Sequence, residues 1–281
     1  MNSTPLDLWD VKTFDPALVA VLTKNAELIR AHIETERCIF LTYDYGPGRA
    51  SCGGRPENPH AHAYLQLQDD MAADMQFRTI RAYHYTRLTD SEVEAMQRDG
   101  IHLSTLATLR RRLNTCVVDG LLTTAEADAL YAASPFHEQI TIRAGRFWLT
   151  SHPFVVDDLG VFPLLTHWGG EATYMWLQDE ALIAKVQAIG KPRIIEAAVS
   201  LNSTTASHRA GESALATFAR SLGCVTSKHA IDVCVTAALP FEAILAVHTD
   251  GQHTFTAMGR SYPAGFVDLD LTHWKDLTGE D

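Results

Sequence analysis

The spacing of apolar positions changes along this chain. Over residues 16 to 36, "PALVAVLTKNAELIRAHIETE" puts Leu18, Leu22, Ile29 and Ile33 near a helical period, with Asp15 and Pro16 as cap and first turn. "RCIFLTYDY" then reads as a strand ended by "GPG", and the Gly, Pro and Asn crowding "GPGRASCGGRPENPHAHAY" makes it a loop. From residue 78 strands and helices interleave. "RTIRAYHYT" is strand-like, and Thr89 and Glu92 stand at capping-box spacing at the start of a helix that Gly100 stops. Helical stretches at 104–115 and 123–133 follow as an insertion between strands.

Beyond the insertion, "QITIRAGRFWLTSH" and "FPLLTHWGGEATYMWL" each read as a pair of strand-like pieces about a glycine turn. "DEALIAKVQAIG" is an amphipathic helix, "RIIEAAVSL" a strand and "GESALATFARSLG" a short helix. "AIDVCVTAAL", "AILAVHT" and "HTFTAMG" read as the last strands. The sum is an α+β fold with a mostly antiparallel sheet, helical insertions and no internal repeat, and the hairpin-like strand pairs argue against a doubly wound sheet.

Composition narrows the function classes. With 281 residues, 46% hydrophobic and 20% charged, the chain matches a globular protein with a sizeable core. The net charge of -11 opposes non-specific binding to polyanions, although Arg78, Arg81 and Arg87 surround His84. A second basic cluster, Arg110, Arg111 and Arg112, reads as a solvated helix face. Five cysteines without a CxxC pair argue against a disulfide framework, and the N-terminus lacks a basic region followed by an apolar stretch. A reduced, cytoplasmic protein with no membrane span is expected.

The chain carries no P-loop, GxGxxG after a strand, HExxH, GxSxG or paired CxxC. Thirteen histidines leave a metal reading open. In a strand, His60 and His62 of "HAH" share a face, and Cys52 supplies a thiolate, so a metal-dependent hydrolase using these residues, with His84 or His167, is one expectation.

Three short stretches in order carry another: "YHYT" at 83–86 before a capped helix ending in "DGI", then "GRFWLTSH", then "HWGGEATY". Together they resemble the ADP-ribosyltransferase fold, in particular its branch with a first-strand His, a second strand of Thr-Ser type and a later Glu, found among DNA-targeting toxins and phage-associated members. The resemblance covers about residues 78–260, so it implies a split, mostly antiparallel catalytic domain at 78–281 behind an N-terminal extension of helix, strand and Gly/Pro-rich loop at 1–77.

It further implies NAD+ as the dinucleotide bound and a macromolecular acceptor, protein or locally docked nucleic acid, in a toxin, defence or counter-defence setting. Glu171 is then the catalytic carboxylate, stabilising an oxocarbenium-like ribose cation. His84 and Thr86 bind the nicotinamide-side ribose, and the backbone just after His84 holds the carboxamide. Tyr85, Trp148 or Tyr174 stacks on the nicotinamide ring, Thr150 and Ser151 belong to the second strand motif, and Arg81 or Arg87 meets the pyrophosphate. Position 169 is Gly, so there is no ExE or QxE and no support for arginine modification; Glu196, Glu212 and Glu242 stand as rival carboxylates. A non-catalytic nucleotide-binding regulatory protein is the third expectation.

Overall fold

A computed structural model describes residues 4–42, 54–226 and 229–259. In chain order these form α1 (Pro16–Lys24), α2 (Ala26–Thr42), α3 (Ala61–Met75), β1 (Thr79–Leu88), α4 (Asp90–Asp99), α5 (Leu106–Val118), α6 (Thr124–Ala132), α7 (Ile140–Arg143), β2 (Phe147–Thr150), α8 (Phe162–Thr166), α9 (Glu171–Tyr174), α10 (Glu180–Ala188), β3 (Lys191–Ser200), α11 (Ser207–Ser221), β4 (Asp232–Val235), β5 (Ile244–Thr249) and α12 (His253–Met258). The fold is α+β. Its strands make one five-stranded antiparallel sheet in the order β4-β2-β1-β3-β5.

β3 reads as a near-continuous apolar run because both faces of the sheet are covered. Ile195, Ala197 and Val199 point into the main core, with Met71 and Met75 of α3 and Ala210, Ala214 and Leu215 of α11. Ile194 points the other way, joining Tyr83 and Tyr85 of β1, Leu165 of α8 and Phe255 of α12. A third, smaller core lies between the helical insertion and α10, where α5 and α6 pack with Trp168, Val186 and Ile189.

The segment before residue 78 shares the main core rather than standing apart. Leu6, Leu8, Leu18, Leu22 and Ile29 are buried in it together with Ile80 and Ala82 of β1. Leu6 bridges Ile80 in parallel: its N–H donates to the Thr79 carbonyl at 3.0 Å, and the Arg81 N–H donates to its own carbonyl at 2.8 Å.

Several local expectations are corrected. "RCIFLT" continues α2 instead of forming a strand, because Ile39 falls on the buried side of the same helical period as Ile29; the rest of that stretch lies outside the described residues. His60 and His62 sit at the start of a helix, not in a strand or loop. Ile140–Arg143, both halves of "FPLLTHWGGEATYMWL" and "HTFTAM" are helical where strands were expected. The helix read at "GESALATFARSLG" begins earlier, at Ser207.

β1 and β2 are joined at the single register pair Tyr83↔Thr150, whereas β1 and β3 pair along all ten residues. The free edge of β1 is thus covered by Leu6, then by Thr150, and beyond residue 83 by no strand among the described residues. Backbone groups of alternate strand residues point to the same side. Since Thr79 and Arg81 turn theirs toward Leu6, Tyr85 and Arg87 turn theirs into the fork between β1 and β2.

Candidate functional site

His84 stands at the base of that fork. Its Nδ1 lies 2.8 Å from the Trp148 carbonyl oxygen, and its ring meets the Phe147 ring at 4.3 Å between centroids. A carbonyl only accepts, so Nδ1 carries the proton and Nε2 keeps its lone pair. Burial lowers the imidazole pKa to about 4; the Trp148 carbonyl opposes the shift and the charge of Arg112 adds to it. The residue nevertheless keeps some solvent-accessible surface. At neutral pH it offers a hydrogen-bond acceptor.

Strand alternation divides the residues expected around it. Thr86 shares the face of His84 and is buried. Tyr85 lies on the opposite face, enclosed, with its hydroxyl accepting from the Phe154 N–H at 2.6 Å; burial raises that hydroxyl's pKa to about 12. Arg87, on that same face, donates to the carbonyls of Ile189 at 2.7 Å and Leu165 at 3.5 Å. The register places Thr150 with Tyr83, hence Trp148 also on that face, where its side chain is exposed. Ser151 is buried, its Oγ 2.6 Å from His152 Nδ1 and accepting from the Ile231 N–H at 3.0 Å.

Glu171 opens the one-turn helix α9 at the surface. The turn before it needs glycine at 169, where φ is +80° and a Cβ would lie 2.5 Å from Thr173 Cγ2. Thr173 closes the turn by donating from Oγ1 to the Trp168 and Gly170 carbonyls. Tyr174 stacks on His167 at 4.6 Å; His167 Nδ1 donates to the Pro163 carbonyl at 2.9 Å, so Nε2 accepts from Gln187. The Glu171 carboxylate is ion-paired with Arg143 of α7.

A network that the motifs did not reveal joins the start of α4, Arg112 of α5 and Trp168. Glu92 completes the capping box by accepting from the Thr89 N–H at 2.9 Å, and it also accepts from the Trp168 indole at 2.8 Å and from Arg112 Nε at 2.7 Å. Arg112 in turn lies over the Trp168 ring at 4.8 Å. Burial pushes the Glu92 carboxyl up, but Arg112, the Thr89 N–H and the indole outweigh it and hold the group below the usual carboxylate range. Trp168 is fully buried three residues before Glu171, so this network ties the His84 strand end to the Glu171 turn. Helical spacing was the available signal. Arg112 shares the buried stripe of Leu109, Leu113 and Cys116, so it turns inward, while Arg110 pairs with Asp128 at the surface.

The rival carboxylates are placed elsewhere. Glu196 is buried on the face opposite His84, ion-paired with Arg81 and 2.9 Å from His248 Nε2, and Arg81 Nε also meets Asp7 at 2.8 Å. These pairs occupy Arg81. Burial raises the Asp7 carboxyl pKa, and the Arg81 charge opposes the shift. Glu212 lies on α11 beside His208, and Glu242 is exposed before β5.

His60 and His62, two residues apart at the start of α3, diverge around the helix instead of sharing a face, and Cys52 lies outside the described residues. Among the described residues no group of three His, Cys, Asp or Glu side chains could hold a metal ion, and no helix is long and apolar enough to cross a membrane. Two surface grooves, of about 540 Å³ along Arg111 and Asn114 and about 500 Å³ between Leu28 and Gln66, are lined by neither His84 nor Glu171. No family model, curated protein or solved structure matches the chain.

Proposed function

We propose that the chain is an ADP-ribosyltransferase-like enzyme that takes NAD+ into the fork between β1 and β2 and transfers ADP-ribose to a macromolecular acceptor. The observation that carries this reading is the β1 edge. At Tyr85, just after His84, a peptide N–H and C=O face the fork with no strand opposite them among the described residues. A primary carboxamide offers the complementary acceptor and donors, as the nicotinamide amide does.

Groups of suitable chemistry for the rest of that substrate are present, His84 on one face of β1 and Arg87 and Trp148 on the other. Neutral His84 presents Nε2 as an acceptor for a ribose hydroxyl. The Glu171 carboxylate supplies the anion that lowers the energy of the ribose cation as the nicotinamide bond breaks. Arg87 is bonded to two carbonyls and to no carboxylate within ion-pair distance among the described residues, so its guanidinium suits a pyrophosphate better than that of Arg81, which two carboxylates hold. Tyr85, enclosed on the opposite face, contributes its backbone and not its ring. Exposed Trp148 and half-exposed Tyr174 remain the aromatic rings open to nicotinamide.

The test is release of nicotinamide from NAD+ and labelling of lysate components by NAD+ carrying a labelled adenosine. Glu171→Gln is expected to lower the rate by about 10²- to 10³-fold, as removal of a transition-state charge partner does. His84→Ala is expected to raise KM as well. Nicotinamide release with no label would mark a glycohydrolase; label unchanged in both variants would remove these residues from the site. Tight NAD+ binding with no turnover would indicate the non-catalytic protein instead.

A further inference from the structure

We infer that Arg143 is an internal latch on Glu171, so that the free protein rests with its candidate catalytic charge neutralised. The inference rests on the transferase reading above and concerns the regulation of the same site.

All three guanidinium nitrogens of Arg143 are engaged. Nη1 pairs with Glu171 Oε2, Nε donates to Gln139 Oε1 at 2.5 Å, and Nη2 lies 3.0 Å from Met175 Sδ. The Arg143 side chain is 17% exposed and that of Glu171 is 43% exposed, so the cation is the recessed partner and the carboxylate faces outward. Gln139, one turn before Arg143, and Met175, at the C-terminal end of α9, both help to hold this geometry.

The charge argument sets the sign. A carboxylate speeds cleavage of the nicotinamide–ribose bond by attracting positive charge that develops on the ribose. A guanidinium bonded to that carboxylate cancels much of its field and adds its own repulsion toward a cation. For Glu171 to act, the pair must therefore part. Arg143 differs in this from a residue that merely positions a catalytic carboxylate, whose loss slows the reaction.

The arrangement also makes the latch light. Its carboxylate half is open to water, and such pairs are worth up to about 1 kcal/mol, or about fivefold in population. α7 is a single turn, and both its flanking apolar side chains, Ile140 and Ile142, are exposed, so few contacts resist its displacement.

The experiment compares wild type with Arg143→Gln and Arg143→Lys for nicotinamide release from NAD+ over a salt series, with circular dichroism to check folding. Arg143→Gln is expected to raise kcat about fivefold with KM little changed. Arg143→Lys should fall between, and added salt should raise the wild-type rate but not that of Arg143→Gln. A folded Arg143→Gln with lower kcat overturns the latch and makes Arg143 a positioning residue, while leaving the transferase reading intact. Absence of nicotinamide release from wild type and both variants overturns the transferase reading and the latch with it. Release that is salt-independent in wild type and equal in all three proteins overturns the latch alone.

Discussion

The imidazole Nδ1 of His84 bonds across the fork to the carbonyl oxygen of Trp148, at 2.8 Å, one residue beyond the single backbone pair that joins β1 to β2. A side chain thus takes over where the strand ladder stops, and the bond fixes which ring nitrogen is left for a ligand.

One consequence is a pH dependence. In the folded chain burial holds the His84 pKa to about 4, below the ordinary value of 6.5. Between these values the unfolded chain binds a proton that the folded chain refuses, so stability falls as pH drops through that window. His84→Gln should flatten this part of the unfolding free energy curve. An NMR titration showing the His84 ring charging near pH 6.5 would contradict the assignment.

Glu92 is expected to be costly to remove. Glu92→Ala deletes a capping-box partner, leaves the buried indole of Trp168 without its acceptor and strips Arg112 of its counter-ion. Together these should cost about 2–4 kcal/mol, read by urea unfolding, with Glu92→Gln retaining part of it. A loss within about 0.5 kcal/mol, the range of an ordinary surface change, would show that the network is dispensable.

Gly169→Ala tests the turn that presents Glu171. A methyl there meets both a left-handed φ and Thr173, so a loss of about 1–3 kcal/mol or a displaced turn is expected. Under the proposed function, nicotinamide release should fall with it. Unchanged Tm and unchanged turnover together would mean that the turn accepts a side chain and that the geometry around Glu171 is not set there.

Glu196→Ala separates a structural carboxylate from a catalytic one. It leaves Arg81 with Asp7 alone and removes the partner of His248, so about 3–5 kcal/mol of stability should go. Molecules that remain folded at low temperature should turn over NAD+ as wild type does. A folded variant that binds NAD+ normally and has lost catalysis would transfer the catalytic role from Glu171 to Glu196.

Sequence reasoning succeeded where local chemistry is self-sufficient. β1, β3 and the helices α4 and α6 were legible from local pattern, α4 with a Thr89–Glu92 box that needs no distant partner. It failed where a short apolar run suits either period. "CIFLT" extends a helix already under way, and "PLLT" and "EATY" become single turns because Gly169 and Gly170, both at positive φ, turn the chain between two helices rather than two strands. His84 and Glu171 were legible as types in an order. The ion pairs that complete their surroundings, Glu92 with Arg112 and Glu171 with Arg143, join residues 20 and 28 positions apart that only the packed fold brings together.

The threading of the sheet also sets how the chain must assemble. β2 pairs with β4 across some 80 residues, and Thr217 of α11 donates to the carbonyl of Leu8, 209 residues away, at 2.6 Å. Little of this can form while the C-terminal half is still on the ribosome. High contact order of this kind makes folding slow, closing late and at once, with the N-terminal helices waiting for α11 and β4 before their apolar faces are covered. During that interval Leu18, Leu22 and Met71 are bare, and chaperone demand rather than final stability is expected to limit the yield of folded protein.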